Sequence, residues 1–245
     1  MPKPQVAGEI LIPNLNPRSP AVESYRILRT NLTFLGVEKP LRSILVTSAV
    51  PEEGKTVTSA NLAICLAEAG NRIVLVDADL RKSRLHRVFD VDNQVGLTTA
   101  LSGGVGLDVA LKEVNVPNLR VLPAGPKPPN PAEMLGSPRM AALLAELREQ
   151  AQMVVIDSPP VIAVTDAVVL SAVVDGVVLV CRAHETTYQQ AQRAKAMLEQ
   201  VKARVLGVVL DQMSLNGLDS YYYQYYYYGE GDESTRRRRR KFGGH

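Results

Sequence analysis

SILVTSAVPEEGKTVTSANLA, residues 43–63, decides the fold of this chain. SILVT is a short β-branched and apolar run of strand type, and TVTSANLA continues through ICLAE as a helix that Gly70 closes. Between them lies a turn that ends Gly54-Lys55-Thr56. A strand, a glycine-bearing turn with Lys-Thr and then a helix make a phosphate-binding loop: backbone N–H groups at the helix N-terminus hold phosphate oxygens, Lys55 reaches the β- and γ-phosphates, and Thr56 offers a hydroxyl to Mg²⁺. Pro51, Glu52, Glu53, Gly54, Lys55, Thr56 and Val57 are the residues expected to touch the nucleotide. Ala49 stands where the usual pattern has its first glycine. The loop establishes nucleotide binding without specifying a reaction.

Working outward, further apolar runs recur with helical stretches between them: RIVLVDAD (72–79), LRVLPAG (119–125), MVVIDSPP (153–160), DGVVLVCR (175–182) and VLGVVLDQ (205–212). Continuous runs of this kind, rather than alternating ones, mark strands buried on both faces of a parallel sheet. Helices are expected over 20–35, 55–69, 131–150, 165–173 and 186–202, the first opened by Ser19-Pro20. The fold class is therefore α/β, a doubly wound, mainly parallel sheet of the P-loop NTPase type with helices on both faces. Residues 1–19, rich in proline, read as an extended N-terminal arm, 20–213 as the P-loop domain, and 214–245 as a flexible tail rich in tyrosine and arginine. The apolar stretch 161–180 has the length of a membrane span, but Asp166, Asp175 and Gly176 interrupt it, and a short helix followed by a buried strand fits it better.

Two acidic sites sharpen the chemistry. VLVDADL ends one strand with Asp77 and Asp79, and MVVID ends another with Asp157, so three carboxylates gather at the carboxyl edge of the sheet, where α/β folds bind ligands. Asp157 after four apolar residues is the aspartate expected to hold Mg²⁺ through water. Asp77 and Asp79 fit a metal-associated carboxylate and a base that activates a hydroxyl, with Asp77 assigned to that activation. Without the phosphate loop, the same residues would be read simply as caps and strand ends.

Composition excludes several classes. The net charge of +3 comes from the end of the chain, because Arg236 to Arg240 and Lys241 supply six positive charges and leave the rest mildly acidic. No basic face for nucleic acid is expected on the body. Cys65 and Cys181 sit in apolar contexts and read as buried thiols of a reducing compartment. His86, His184 and His245 lack metal-ligand spacing. The opening MPKPQVAGEILIPNLNP contains no apolar core of the signal-peptide kind, which points to the cytoplasm.

One segment remains unexplained by these elements. YYYQYYYYGEG, residues 221–231, carries seven of the nine tyrosines in a stretch that forms neither a core nor a good helix. Together with SPAVESYRILRTNLTF, SAVPEEGKTVTSANLA, IVLVDADLRKSRLH, NQVGLTTALSG, LPAGPKPPNPAEML and VVIDSPPV, in this order, it resembles the bacterial tyrosine kinases of capsule and exopolysaccharide synthesis. The resemblance implies that Lys55 and Thr56 bind ATP·Mg²⁺, that Asp77 and Asp79 are the catalytic pair and that Asp157 completes metal binding with Thr56 and Asp77. It implies autophosphorylation in trans at Tyr221, Tyr222, Tyr223, Tyr225, Tyr226, Tyr227 and Tyr228. It further implies a homo-oligomeric ring through Glu23, Arg26 and Arg29, a transmembrane activator of the polysaccharide co-polymerase type, a cognate tyrosine phosphatase, and a place at the inner face of the cell membrane. The family usually has asparagine after the last core strand, near the adenine, where this chain has Asp211.

A second reading shares the loop but not the tail. Partition and cell-division ATPases use the same fold as nucleotide switches that act in positioning or bind membrane or DNA, with the arginine run as an anchor. They generally carry an additional lysine early in the loop, as KGG, which SAVPEEGKT lacks.

Overall fold

The computed structural model of the chain describes residues 11–213. At its centre is strand β1 (Ser43–Ser48), the SILVTS run, buried along its whole length. β1 is paired in parallel with β5 (Met153–Asp157) on one side and β6 (Gly176–Arg182) on the other. Beyond β5 come β2 (Ile73–Asp77), β4 (Leu119–Leu122) and a two-residue antiparallel edge, β3 (Lys112–Glu113); beyond β6 lies β7 (Val205–Asp211). The order is β3-β4-β2-β5-β1-β6-β7, parallel throughout except for β3.

Both faces are covered, which is why the strands read as unbroken apolar runs. Ile44 and Val46 of β1 pack with Leu75, Val155 and Val180 on one face. That face is covered by α1 (Pro20–Leu35), α2 (Lys55–Glu68) and α3 (Leu85–Val88). Leu45, Val76, Ile156 and Leu179 look the other way, toward α4 (Leu97–Leu101), α5 (Leu107–Ala110), α6 (Pro131–Leu135), α7 (Pro138–Gln150), α8 (Asp166–Ser171) and α9 (Tyr188–Gln200). The apolar stretch 161–180 resolves into α8 and β6, and no helix among the described residues is long and apolar enough to cross a membrane.

Local signals set the ends of the helices. The Ser19 hydroxyl accepts the Val22 N–H at 3.4 Å with Pro20 just inside α1, and Thr187 and Gln190 form a reciprocal capping box on α9. Gly70 follows α2 with a φ of +88°, its N–H bonded to the Ala67 carbonyl while Asn71 N–H reaches Leu66.

The structure differs from the sequence reading in three places. The helix expected over 131–150 is two helices, α6 and α7. Pro138 has no N–H to donate and forces Ser137 into an extended conformation, ψ 152°, so the chain breaks and restarts there. Helices α3, α4 and α5 are too short to show a 3.6-residue period. Residues 11–19 do not extend away from the body: Leu11 and Ile12 are buried beside α2, and Ile12 N–H donates to Asn61 Oδ1 at 2.9 Å.

The segment NQVGLTTALSG owes its position to Gly96. Leu97 N–H and Thr98 N–H bond to the carbonyls of Pro123 and Ala124 past the end of β4. A Cβ on Gly96 would lie 2.1 Å from the Pro123 carbonyl oxygen and 2.6 Å from the Gly125 nitrogen, both backbone atoms that cannot swing aside. Gly96→Ala is therefore expected to destabilise the protein by about 2 kcal/mol or more, in the upper range of overpacking substitutions. The check is a shift of the urea unfolding midpoint at unchanged slope; a wild-type midpoint would show that the loop relaxes freely.

Candidate active site

The parallel register brings the acidic residues together. β2 and β5 are neighbours with Asp77 opposite Asp157, and β5 pairs β1 with Asp157 opposite Val46, so both carboxylates stand beside the loop that leaves β1. Asp79 follows two residues past Asp77, beyond the end of β2. All three are buried, Asp77 completely.

Lys55 opens α2 and turns its ammonium into this group. Its Nζ lies 2.9 Å from Asp79 Oδ2 and 3.4 Å from the Thr56 hydroxyl. Thr56 donates to Asp157 Oδ2 at 2.8 Å, and the Ser59 hydroxyl lies 3.2 Å from Asp157 Oδ1. Asp79 Oδ1 accepts the Lys82 N–H. Asp77 is held by backbone alone: one oxygen accepts Asp79 N–H, the other accepts Arg84 N–H and Leu85 N–H at 3.1 and 3.0 Å and so caps α3. The residue expected from the sequence to be catalytic is thus also the one that caps α3.

Burial sets the electrostatics. Burial, and then the Asp157 carboxylate beside it, push the Asp77 carboxyl up to about 8. Burial also raises Asp157, against the opposing pull of Lys55 and Thr56. For Lys55, burial disfavours the ammonium, but Asp157 and Asp79 more than offset it and hold its pKa above the ordinary lysine value.

A cleft of about 450 Å³ opens above these groups, lined by Pro51, Glu52, Gly54, Lys55, Thr56, Val57, Asp79, Arg81, Lys82, Arg84, Pro159, Pro160, Ala163, Val164 and Arg182. Glu52 and Gly54 both have left-handed backbone, φ +69° and +84°, the kind of alternation that turns successive N–H groups toward one point. Six of the seven loop residues expected from the sequence thus line the cleft. Glu53 does not. Its carboxylate is 2% exposed, accepts Val50 N–H at 2.8 Å and takes the Thr186 hydroxyl, so it braces the loop from behind. Ala49, in place of the first glycine, is buried in the core beneath the loop.

Asp211, the last residue of β7, also lies outside the cleft lining. A Cβ on Gly54 would come within 2.1 Å of its Oδ2, so the carboxylate packs against the loop at that glycine. Burial raises its pKa, opposed by the Gln212 N–H and by Arg182, its register partner on β6. Glu23 and Arg26 on α1 form an ion pair at 3.1 Å, whereas Arg29 turns inward to the Cys65 carbonyl of α2. Tyr221 to Tyr228 lie outside the described residues.

Three contributors were not anticipated. Ser59 shares Asp157 with Thr56; its place one helical turn after Lys55 is the signal that was available. Arg81 sends Nε and Nη2 to the two oxygens of fully buried Asp166, both at 2.9 Å, tying the segment after β2 to α8. Arg182 reaches the Glu52 carbonyl and the Gln212 amide at the mouth of the cleft. The pairing of residues 85 and 130 positions apart leaves no local pattern to read.

The donor set fits a nucleotide with Mg²⁺: a hydroxyl and carboxylates are the hard oxygen ligands that ion takes, beside a helix N-terminus and a lysine suited to phosphate. Of the residues expected from the sequence to hold the ion, Thr56 and Asp157 are bonded to one another, while both oxygens of Asp77 accept backbone N–H groups. Because Glu53 fixes the loop from behind, Glu53→Ala leaves Val50 N–H and the Thr186 hydroxyl without their acceptor. It is expected to weaken nucleotide affinity by about tenfold, the effect of some 1–2 kcal/mol at one lost buried hydrogen-bond acceptor. Titration with a fluorescent ATP analogue checks this, and unchanged affinity would remove Glu53 from the loop's support.

This geometry has relatives. The ParA family model, described as a NUBPL iron-transfer P-loop NTPase, matches residues 41–242. The tyrosine-protein kinase YwqD of Bacillus subtilis (strain 168) is 41% identical over 205 residues, which cover 84% of this chain and 86% of that protein. The putative tyrosine-protein kinase CapB of Staphylococcus aureus is 38% identical, over 84% of this chain and 90% of its own length. Among solved structures, the chimerical protein CapA2B2 superposes with a TM-score of 0.80 at 35% identity, over 83% of this chain and 89% of that one. With the phosphate loop, the paired aspartates and the parallel sheet all in place, the chain belongs to the bacterial tyrosine-protein kinases, a family built on the P-loop NTPase fold.

Proposed function

We propose that the chain transfers the γ-phosphoryl group of ATP to the tyrosines of its own C-terminal cluster, in trans within a homo-oligomeric ring, and so regulates capsular or exopolysaccharide synthesis and export. Residues 20–213 act as the kinase domain and 214–245 as the acceptor tail. The observation that carries this reading is the grouping of Lys55, Thr56, Asp79 and Asp157 around one point, with Asp77 directly behind. The phenolic oxygen attacks the γ-phosphorus, the bond from that phosphorus to the bridging oxygen breaks, and ADP leaves. The phenolic proton passes to the Asp77–Asp79 pair, of which Asp79 lines the cleft. A phenol has a pKa near 10, so a nearby carboxylate is what lets it act at neutral pH. Lys55 neutralises charge that builds on the transferred group. Mg²⁺, when bound, supplies further positive charge to the phosphates.

The proposed ring rests on α1. Its Glu23–Arg26 pair is partly exposed, and Ile27, Phe34 and Val37 on and just after the helix are exposed apolar residues, a surface that favours burial against a neighbour. A transmembrane activator of the polysaccharide co-polymerase type holds the ring at the inner face of the membrane, and a cognate tyrosine phosphatase resets the tail.

Incubation with labelled ATP followed by phosphoamino-acid analysis tests the reaction. Wild type should yield phosphotyrosine, whereas Lys55→Met and Asp77→Asn should each lose nearly all of it, a drop of about 10² or more for removal of a charge-stabilising or proton-accepting group. Replacing Tyr221, Tyr222, Tyr223, Tyr225, Tyr226, Tyr227 and Tyr228 by phenylalanine should remove most incorporation while ATP binding persists. ATP hydrolysis without phosphotyrosine would favour the nucleotide-switch reading instead. For the ring, alanine at Glu23, Arg26 and Arg29 together should move the protein to the monomer position on a sizing column; an unaltered oligomer sinks that assignment.

A further inference from the structure

The rim of the cleft carries positive charge beyond Lys55 to which the proposed reaction assigns no role. The segment between β2 and α3 places Arg81, Lys82 and Arg84 there, all exposed. Arg81 is committed through its fork to Asp166. Lys82 differs: its N–H is fixed by Asp79, so the residue is held in place, yet its ammonium makes no ion pair among the described residues. Arg84 N–H is bonded to Asp77, and its side chain is not without a partner. Exposed cations are ordinarily just solvated, so the charge alone identifies no ligand.

The second observation is where the described residues end. β7 ends at Asp211, in register with Arg182, which itself lines the cleft. The described residues therefore end close to the rim of such a site, and the sequence that follows is ordered by charge: tyrosines to 228, then Glu230, Asp232 and Glu233, then Arg236 to Lys241. With Tyr228 at Lys55 and Asp79, an extended chain carries the three acids roughly 7 to 18 Å further out. There they are clear of Asp79 and Asp157, which repel them, and at the distance of the rim, where Lys82 stands. The arginine run falls further out still, away from cations of like sign.

We propose that Lys82 recognises the acidic segment Glu230–Glu233 of a second copy's tail, so that the preferred acceptor is a tyrosine with carboxylates two to five residues on its C-terminal side. The charge order then sets the direction of entry, with acids on the rim and arginines outside it. The inference rests on the trans-phosphorylation reading. Exposed pairs of this kind are individually weak and screened by salt, so the effect falls on acceptor KM rather than on the chemical step.

The test uses full chains. The enzyme carries phenylalanine at the seven tail tyrosines, and the acceptor carries Lys55→Met, so that all phosphotyrosine on the acceptor arises in trans. Adding Glu230→Gln, Asp232→Asn and Glu233→Gln to the acceptor should raise its KM several-fold with little change in kcat. The difference should disappear near 0.5 M salt, where the screening length falls to about 4 Å. An enzyme with Lys82→Glu should show the same rise with the unaltered acceptor and regain a low KM with an acceptor bearing Glu230→Lys, Asp232→Lys and Glu233→Lys. Equal KM values for the two acceptors, or a difference that persists in high salt, overturn the inference alone. Transfer to neither acceptor overturns the kinase reading and this inference with it.

Discussion

The site depends on burying three carboxylates around one lysine. Each ionised carboxylate removed from water costs several kcal/mol unless hydrogen bonds and opposite charge offset it. The protein meets that cost differently at each position. Asp157 takes hydroxyls from α2, Asp79 takes the Lys55 ammonium and a backbone N–H, and Asp77 takes three backbone N–H groups. Even so, Asp77 rises to about 8, which shows that the compensation is incomplete. Three carboxylates against one lysine at the base of the cleft suit a phosphate group only when a further cation accompanies it, and this demand follows from the protein's own groups.

Such a balance tolerates little movement, and the sheet supplies the rigidity. Asp77 and Asp157 face one another because β2 and β5 pair in one register, and slipping either strand by one residue would turn its carboxylate into the opposite core. Burial on both faces makes that slip costly, since Val76 and Ile156 fill one core while Leu75 and Val155 fill the other. The loop is restrained on its outer side as well, by Glu53 behind it, Asp211 against Gly54 and Arg182 on the Glu52 carbonyl.

What the sequence made legible follows from range. The strands, the helix after Lys55 and the proximity of Asp77, Asp79 and Asp157 rest on patterns within a few residues plus the rule that ligands gather at the carboxyl edge of parallel strands. The proline break at residue 138 was equally local, yet the apolar pattern of 131–150 ran across it. Glu53 looked like a nucleotide contact because it sits among residues that line the cleft, and only tertiary packing against Thr186 turns it inward. Arg81 with Asp166, and Arg182 with Glu52, join residues far apart in sequence, so no window of sequence contains both partners. Arg29 was expected with Glu23 and Arg26 in contacts between subunits; within the chain it bonds the Cys65 carbonyl, a partner 36 residues away that no local pattern announces.

On the proposed reading, catalyst and acceptor belong to the same sequence, and the charge pattern that favours docking also limits it. Each phosphate adds roughly −1.5 to −2 charge and three acceptor oxygens to a tail that already carries acids. Phosphates on tyrosines still inside the cleft face Asp79 and Asp157 and are repelled. Phosphates that have moved outward compete with Glu230, Asp232 and Glu233 for the same cation, or turn back to the arginines at 236–240, whose guanidinium forks pair well with phosphate. Every transfer therefore weakens the attraction that brought the tail in, and the ring loses the contact each tail made with its neighbour. Modification and disassembly become two consequences of one electrostatic balance, with the number of phosphates setting how far it has shifted.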